Sequence, residues 1–101
     1  MQQTKQQPLF SLGQIVATPG ALEALQKAGQ SATEFLQRHS QGDWDDVCEE
    51  DRLANDQSLV DGSRILSAYR TSHGDKLWVI TEAADDAGNR VVTTILLPSE
   101  H

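Results

Sequence analysis

The sequence predicts a single domain of the α+β class. Apolar residues recur at helical spacing between residues 18 and 60, whereas residues 64–97 form runs rich in β-branched and aromatic side chains. A chain of 101 residues can bury one modest core. We therefore expect a short N-terminal strand, three helices and then a three-stranded antiparallel β-meander with the helices packed on the sheet. This domain would span residues 9–98, with a flexible tail at 1–8 and a second tail at 99–101.

The first two elements are a strand and a helix. The apolar run LFSLGQIVA is short enough for a strand and is interrupted by Gly13. Thr18 and Pro19 predict the start of a helix, because threonine caps free N–H groups and proline suits the first helical position. Gly29 is placed to end this helix in a left-handed turn.

Two further helices follow. Ser31 and Glu34 match the S-x-x-E capping box, which predicts a second helix that closes before Gly42. A third helix is predicted over about residues 47–60, with acidic residues in its first turn where the helix dipole favours negative charge. Its apolar stripe is thin, so most of its surface should face water. Gly62 is placed to end it.

The last three elements are strands. The runs RILSAYRT, KLWVITEA and RVVTTILL are separated by the turn-forming segments SHGD and ADDAGN. Such short links join antiparallel neighbours, which predicts the meander. The expected core comprises the following apolar residues: Ile15, Leu22, Leu25, Phe35, Leu36, Leu53, Ile65, Leu77, Val79, Ile80, Val91, Ile95 and Leu97.

Composition argues against several classes of function. The net charge of −7 disfavours nucleic-acid binding, because that affinity depends mainly on lysine and arginine neutralising phosphates. One cysteine allows no internal disulfide, so a reducing, cytoplasmic location is expected. No apolar run approaches the ~18 residues of a membrane span, and the N-terminus lacks the apolar core of a signal peptide.

Motifs for metals and catalysis are not recognisable. Counting an EF-hand loop from Asp43 places Cys48 and Ala54 where glycine and glutamate are required. Neighbouring acids would keep the Cys48 thiol protonated, which is unfavourable for a nucleophile. The histidines are scattered, and His39 is more typical of a helix end than of a catalytic base. We therefore assign no catalytic, cofactor-binding or metal-binding residue and expect no cofactor.

The segment from Gly42 to Asp61 is the most distinctive part of the chain. It contains eight of the fifteen acidic residues and one of the two tryptophans. Trp44 has two interpretations: an exposed interface anchor among carboxylates, or an indole that folds inward over the core. The candidate partner-binding residues are Asp43, Trp44, Asp45, Asp46, Glu49, Glu50 and Asp51.

These observations favour a non-enzymatic protein-interaction module that binds a basic protein surface. One alternative is a small hydrolase or nuclease whose site assembles only in three dimensions; a pocket that holds His39 with two acids would favour it. A regulatory DNA-binding protein is a further alternative, disfavoured by the net charge. A homodimer formed through an unpaired sheet edge is a further expectation.

The segments LFSLGQIVATPGALEAL, HSQGDWDDV, GSRILSAYR, LWVITEA and TTILLP resemble a family of small bacterial proteins of about this length. The family occurs on plasmids and integrated mobile elements, and some members carry the label plasmid-related protein or restriction-modification subunit. The resemblance implies a mobile-element context but supplies no functional residues. This chain lacks the glycine-rich cofactor loop and catalytic motif of a methyltransferase. Similar sequences place serine or aspartate where this chain has Cys48.

Overall fold

The computed structural model describes residues 8–101, so the tail expected at residues 1–8 lies almost wholly outside the described part. The chain is α+β, as predicted. Its elements are the strands β1 (Gln14–Ala17), β2 (Ile65–Arg70), β3 (Lys76–Thr81) and β4 (Val92–Leu96), the helices α1 (Pro19–Ala28), α2 (Ala32–Ser40) and α3 (Glu49–Asp61), and a 3-10 turn at Pro98–Glu100.

The sheet differs from the predicted meander, because it is mixed and has four strands in the order β1-β4-β3-β2. The strands β2, β3 and β4 pair antiparallel, as short links require. The strand β1 joins β4 in parallel, with Ile15 opposite Thr93 and Ala17 opposite Ile95. The intervening helices carry the chain across the sheet, which is how a parallel pairing is connected.

The first strand is shorter than the predicted run because Gly13 interrupts it. Gly13 has a φ of 67°, and a Cβ at this position would lie 2.4 Å from the carbonyl oxygen of Val91. Only glycine fits both this φ and this close approach. The strand therefore begins at Gln14, and residues 8–12 form irregular chain.

The starts of α1 and α2 follow the predicted caps, with one correction to the second cap and one to the start of α3. The Thr18 hydroxyl accepts from the N–H of Ala21, and the Ser31 hydroxyl accepts from the N–H of Thr33. The reciprocal half of the predicted capping box is wrong, because the Glu34 carboxylate accepts from the side chain of Gln30. The third helix begins two residues later than expected, at Glu49.

The core lies between one face of the sheet and helices α1 and α2. Its centre consists of the following residues: Ala21, Ala24, Leu25, Phe35, Tyr69, Leu77, Val79 and Ile95. Four of the predicted core residues are exposed instead: Ile15, Leu22, Leu53 and Val91. Ile15 lies on an edge strand, and Leu53 lies on the outer side of α3. The spacing of apolar residues alone could not place them, because it does not state which side of an element meets the core.

The C-terminal residues are attached to the fold, in contrast to the tail expected at 99–101. The Glu100 carboxylate accepts from the Thr18 hydroxyl and from the N–H of Gly20, 3.1 Å away, at the start of α1. These bonds hold the pKa of Glu100 below its usual value. The ring of His101 lies edge-on to Trp78 at a centroid distance of 5.4 Å.

Candidate interaction surface

The first part of the acidic segment is fixed against the outer edge of β2. Asp45 forms an isolated parallel bridge with Ala68, in which Ala68 donates to the carbonyl of Trp44 and Asp46 donates to the carbonyl of Ala68. The Tyr69 hydroxyl donates to the carbonyl of Asp43 at 2.6 Å. Asp45 has a φ of 57°, a conformation that aspartate tolerates better than most residues. The carboxylates of this segment therefore project from a well-anchored backbone.

Trp44 is not part of this exposed surface. Its side chain is only 2% exposed, and its ring lies 6.0 Å from that of His39 and 6.2 Å from that of Phe10. The indole N–H points to Asp56 at 3.4 Å. The interpretation of Trp44 as an exposed interface anchor is therefore wrong, and the alternative that the indole covers the core is correct.

Cations of the same chain already pair with the first three carboxylates. Arg38 lies 2.7 Å from Asp43 and 3.3 Å from Asp45, and Asp46 lies 3.8 Å from Arg70 and 3.9 Å from Lys76. The hydrogen bond from Arg38 to Asp43 raises the pKa of the arginine. Because these pairs are exposed, each contributes at most about 1 kcal/mol to stability. Their larger effect is to reduce the negative potential around residues 43–46.

The acids in the first turn of α3 remain largely unpaired. Glu49 has one weak contact, 3.9 Å from Arg52, and no ion pair reaches Glu50 or Asp51 within residues 8–101. Cys48 is the N-cap residue of α3 but makes no side-chain capping bond. The three acids of the first turn therefore supply the negative charge that the N-terminal end of the helix dipole favours. The candidate residues therefore fall into two groups, residues 43–46 with cations and residues 49–51 almost without.

The burial pattern of α3 is the reverse of that of an ordinary surface helix. The residues that it buries are polar, Asn55 and Ser58, whereas Leu53 and Val60 are 59% and 82% exposed. The Asn55 amide donates to the carbonyl of Leu66 at 2.6 Å and accepts from its N–H at 3.1 Å, and Ser58 donates to the carbonyls of Ala54 and Arg64. The buried side of the helix thus serves as a hydrogen-bonding partner for β2.

The outer side of α3 combines apolar and acidic side chains. Leu53 and Val60 are seven residues apart, so they lie two helical turns apart on one face. Glu49 and Asp56 lie four residues before each of them and flank the same face. Sequence reasoning included Leu53 in the core, since apolar spacing was the only signal it used. The signal that it missed was the pair of small polar residues, Asn55 and Ser58, spaced for the opposite face.

A cavity of about 420 Å³ opens at the C-terminal end of α3. Its wall includes Phe10, Val60, Asp61, Asp85 and Arg90. Two of the three aspartates in this wall, Asp61 and Asp85, are held in turns, and Asp86 is the third. Asp61 accepts from the N–H of Ser63, and Asp85 accepts from the N–H groups of Ala87 and Asn89. The cavity therefore extends the exposed surface around Val60 without presenting a free cluster of ligands.

Arg90 anchors this end of the molecule. Its guanidinium donates to the carbonyls of Ser58, Ser63 and Glu82 at 2.9–3.1 Å and lies 5.5 Å from the centre of the Phe10 ring. Burial lowers the pKa of Arg90, because water is removed from the charged form. One side chain thereby joins the C-terminal end of α3, the loop after it and the end of β3.

His39 is the centre of a buried hydrogen-bond chain. Its Nδ1 lies 2.5 Å from the Ser67 hydroxyl and its Nε2 lies 2.9 Å from the Thr81 hydroxyl. Thr81 lies 2.6 Å from the hydroxyl of Thr93, which donates to the carbonyl of Leu12. Because this carbonyl can only accept, the chain has one consistent direction: Thr81 donates to Thr93, Nε2–H donates to Thr81, and Ser67 donates to Nδ1.

The same geometry bears on catalysis. The side chains of His39, Ser67, Thr81 and Thr93 are all fully buried, and burial lowers the pKa of His39 to about 3, with repulsion from Arg90 as a smaller cause. The partners of His39 are hydroxyl groups rather than two acids, and His39 does not line the cavity. The arrangement that would favour a hydrolase therefore does not occur around His39, which stabilises the junction of α2 with β2 and β3.

Within residues 8–101 no group of three or more His, Cys, Asp or Glu side chains is arranged to hold a metal ion. No helix in this part of the chain is long and apolar enough to cross a membrane. Comparison of the chain with family models, with curated proteins and with solved structures finds no match. The exposed surface of α3 is therefore the feature of the described residues that points to a function.

Proposed function

We propose that this chain is a non-enzymatic protein-interaction module that binds a basic partner through the outer surface of α3. The resemblance to small plasmid and mobile-element proteins gives the proposed biological context. The observation that carries the proposal is the exposure of Leu53 and Val60 on a helix whose buried residues are polar. A helix that only covered the sheet would be expected to bury its large apolar side chains.

The chemistry of the surface defines the kind of partner. Exposed Leu53 and Val60 offer apolar area, Glu49 and Asp56 flank them on the same face, and Glu50 lies beside that face with further negative charge. A partner segment with apolar side chains flanked by lysine or arginine would match both features. The unpaired acids at residues 49–51 would attract such a segment over a distance, and the apolar pair would hold it in contact.

The proposal separates the roles of the predicted site residues. Asp43, Asp45 and Asp46 already interact with cations of this chain, so a partner would have to compete with Arg38, Arg70 and Lys76. Glu49, Glu50 and Asp51 impose no such competition beyond the weak contact with Arg52. We therefore expect the second group to contribute more to partner binding than the first.

The first experiment is affinity capture from the native host with a triple variant, Glu49→Lys, Glu50→Lys and Asp51→Lys. A partner retained by the wild type should be lost by this variant, because its attraction becomes repulsion. The matched control reverses Glu23, Glu34 and Glu82, which gives the same net charge at exposed positions outside α3. Equal capture by the wild type and the α3 variant would contradict the proposal, and so would equal loss in both variants.

The second experiment separates contact from charge. The double variant Leu53→Ser and Val60→Ser keeps every acid and removes the apolar pair. With the captured partner in hand, we expect at least tenfold weaker binding, since each apolar side chain that is buried in an interface contributes on the order of 1–2 kcal/mol. The loss of affinity caused by the triple lysine substitution should become smaller as salt rises, whereas the loss in the serine variant should persist at all salt concentrations.

A further inference from the structure

The two edges of the sheet differ in whether their outward backbone groups have hydrogen-bond partners within the described residues. The β2 edge is closed, because Asn55 pairs with both backbone groups of Leu66 and the bridge at Asp45 pairs with both backbone groups of Ala68. Helix α3 lies beside this edge. Such covering prevents another chain from adding a strand.

The β1 edge has no such cover within the described residues. Gln14 and Thr18 donate towards β4, to the carbonyls of Val91 and Ile95. Backbone direction alternates along a strand, so the N–H and C=O groups of Ile15 and Ala17 point away from the sheet. No loop or side-chain bond within residues 8–101 reaches these groups. They form a short row of donors and acceptors in the geometry that another strand can meet.

The side chains of β1 also lack the features that protect natural edges. The sequence QIVA contains no charge and no proline, whereas exposed edges usually carry lysine, proline or a bulge. Ile15 and Val16 are 40% and 39% exposed. Two β-branched residues on an open, uncharged strand favour pairing with a further strand.

We propose that a second copy of this chain pairs with β1 in antiparallel orientation about a twofold axis. The register that uses every outward group of Gln14–Ala17 places Ile15 opposite Ala17 of the second copy. The axis then passes between the two Val16 residues, which form a non-hydrogen-bonded pair with their side chains in contact. The two four-stranded sheets become one continuous sheet.

The charge distribution favours a second copy as the occupant. Each copy carries a net charge of −7, and much of that charge lies on residues 43–61 beside β2, at the opposite edge from β1. Pairing through β1 therefore keeps the two acidic surfaces at the two ends of the joined sheet, several Debye lengths apart at physiological salt. It also leaves the proposed partner-binding side of α3 accessible, so the dimer and the interaction module are independent proposals.

The first test measures mass against concentration by sedimentation equilibrium, from about 1 μM to 1 mM, a range suited to a small interface. We expect the mass to rise towards twice 11.1 kDa. Val16→Lys should shift the midpoint to at least tenfold higher concentration, because it places two charges across the axis. Leu22→Lys is the matched control on α1, an exposed apolar residue with the same gain of charge, and should leave the midpoint unchanged. A monomer throughout, or equal shifts in both variants, would overturn the proposal.

The second test locates the axis. In the antiparallel pair the Cα atoms of the two residues at position 16 would lie about 4.5 Å apart, within the ~4.4–6.8 Å range for a disulfide. The variant Val16→Cys with Cys48→Ser should therefore form a disulfide-linked dimer under mild oxidation. The control Leu22→Cys with Cys48→Ser has an exposed thiol on α1 and should remain largely monomeric.

A linked dimer in the control but not at position 16 would show that another surface pairs. Circular dichroism of each variant confirms that the fold is retained.

Discussion

The imidazole of His39 is neutral and buried, and no acidic side chain of the described residues bonds to it that would stabilise its charged form. Protonation at Nδ1 would break the hydrogen bond that Ser67 donates, and it would place a second cation near Arg90. Ser67 and Thr81 can satisfy the neutral ring completely, which is why a fully buried histidine is tolerated here. At this scale the chain of hydroxyl groups fixes the position of the ring and its tautomer together.

A prediction about pH follows from the lowered pKa of His39, about 3 against an ordinary value of 6.5. Between these values the unfolded chain binds one more proton than the folded chain, so the stabilisation is fully present above pH 6.5 and falls on acidification. The slope for one group is about 1.4 kcal/mol per pH unit. Urea unfolding of the wild type between pH 4.5 and 6.5 should show it.

The control for that measurement is His39→Gln, which cannot titrate and can still donate towards Thr81. Its stability should be lower than that of the wild type at pH 7 and should fall less steeply with acid. Carboxylates such as Asp61 and Glu100, whose pKa values are lowered in the fold, contribute to both proteins and cancel in the comparison. Parallel curves for the two proteins would show that His39 gains a proton in the folded state as readily as in the unfolded state.

At the scale of elements, α3 substitutes for a missing neighbour of β2. An edge strand presents unpaired backbone groups, and the Asn55 amide carries the same donor and acceptor pair as a peptide group. Ser58 extends the contact by bonding to the carbonyl of Arg64. These two polar side chains thus pair with backbone groups of the edge strand, and they leave Leu53 and Val60 on the outer side of the helix.

We expect Asn55→Ala to lower the free energy of unfolding by about 2–3 kcal/mol, because it leaves the N–H and C=O of Leu66 without partners in a partly buried place. Gln57→Ala is the control, since this exposed neighbour bonds to no strand. Chemical denaturation of both variants and the wild type measures the difference. Equal stability of the two variants would mean that water replaces the amide of Asn55 at little cost.

At the scale of the whole molecule, the C-terminal end of the described chain meets the start of α1. Glu100 spans the sequence to reach Thr18 and Gly20, and it supplies the negative charge that the first turn of α1 lacks. The C-terminal residues therefore close the fold on the side where β1 enters α1. This closure positions the edge strand that the proposed dimer would use.

A chain that ends at Pro98 should melt a few degrees below the full chain, because it loses the carboxylate that caps α1. Glu100→Gln should give part of this fall, since an amide oxygen can still accept a hydrogen bond but carries no charge. Ser99→Ala, at an exposed neighbouring position, is the control and should melt like the wild type. Thermal unfolding followed by circular dichroism distinguishes these cases. An unchanged melting temperature after truncation would show that the contact adds nothing to stability.

The sequence by itself determined the class of fold and the ends of most elements, because these depend on local chemistry. Thr18, Ser31, Gly29 and Gly62 act within one or two turns of where they stand in the chain. The period of the apolar residues separated helix from strand for the same reason. The acidic character of residues 42–61 was equally plain, since it is a matter of composition.

Only the tertiary structure decided which side of each element is buried and which residues meet across the chain. Leu53 lies outside the core because Asn55 and Ser58 turn α3 towards β2. Of the two interpretations of Trp44, the inward one holds, because the bridge at Asp45 turns the indole inward. The parallel pairing of β1 with β4 joins residues about eighty positions apart, and no local pattern encodes it. Burial and long-range pairing depend on the sum of many contacts, which the order of residues does not state. For the same reason, only the tertiary structure shows that the acids at residues 43–46 pair with cations and that those at residues 49–51 remain largely unpaired.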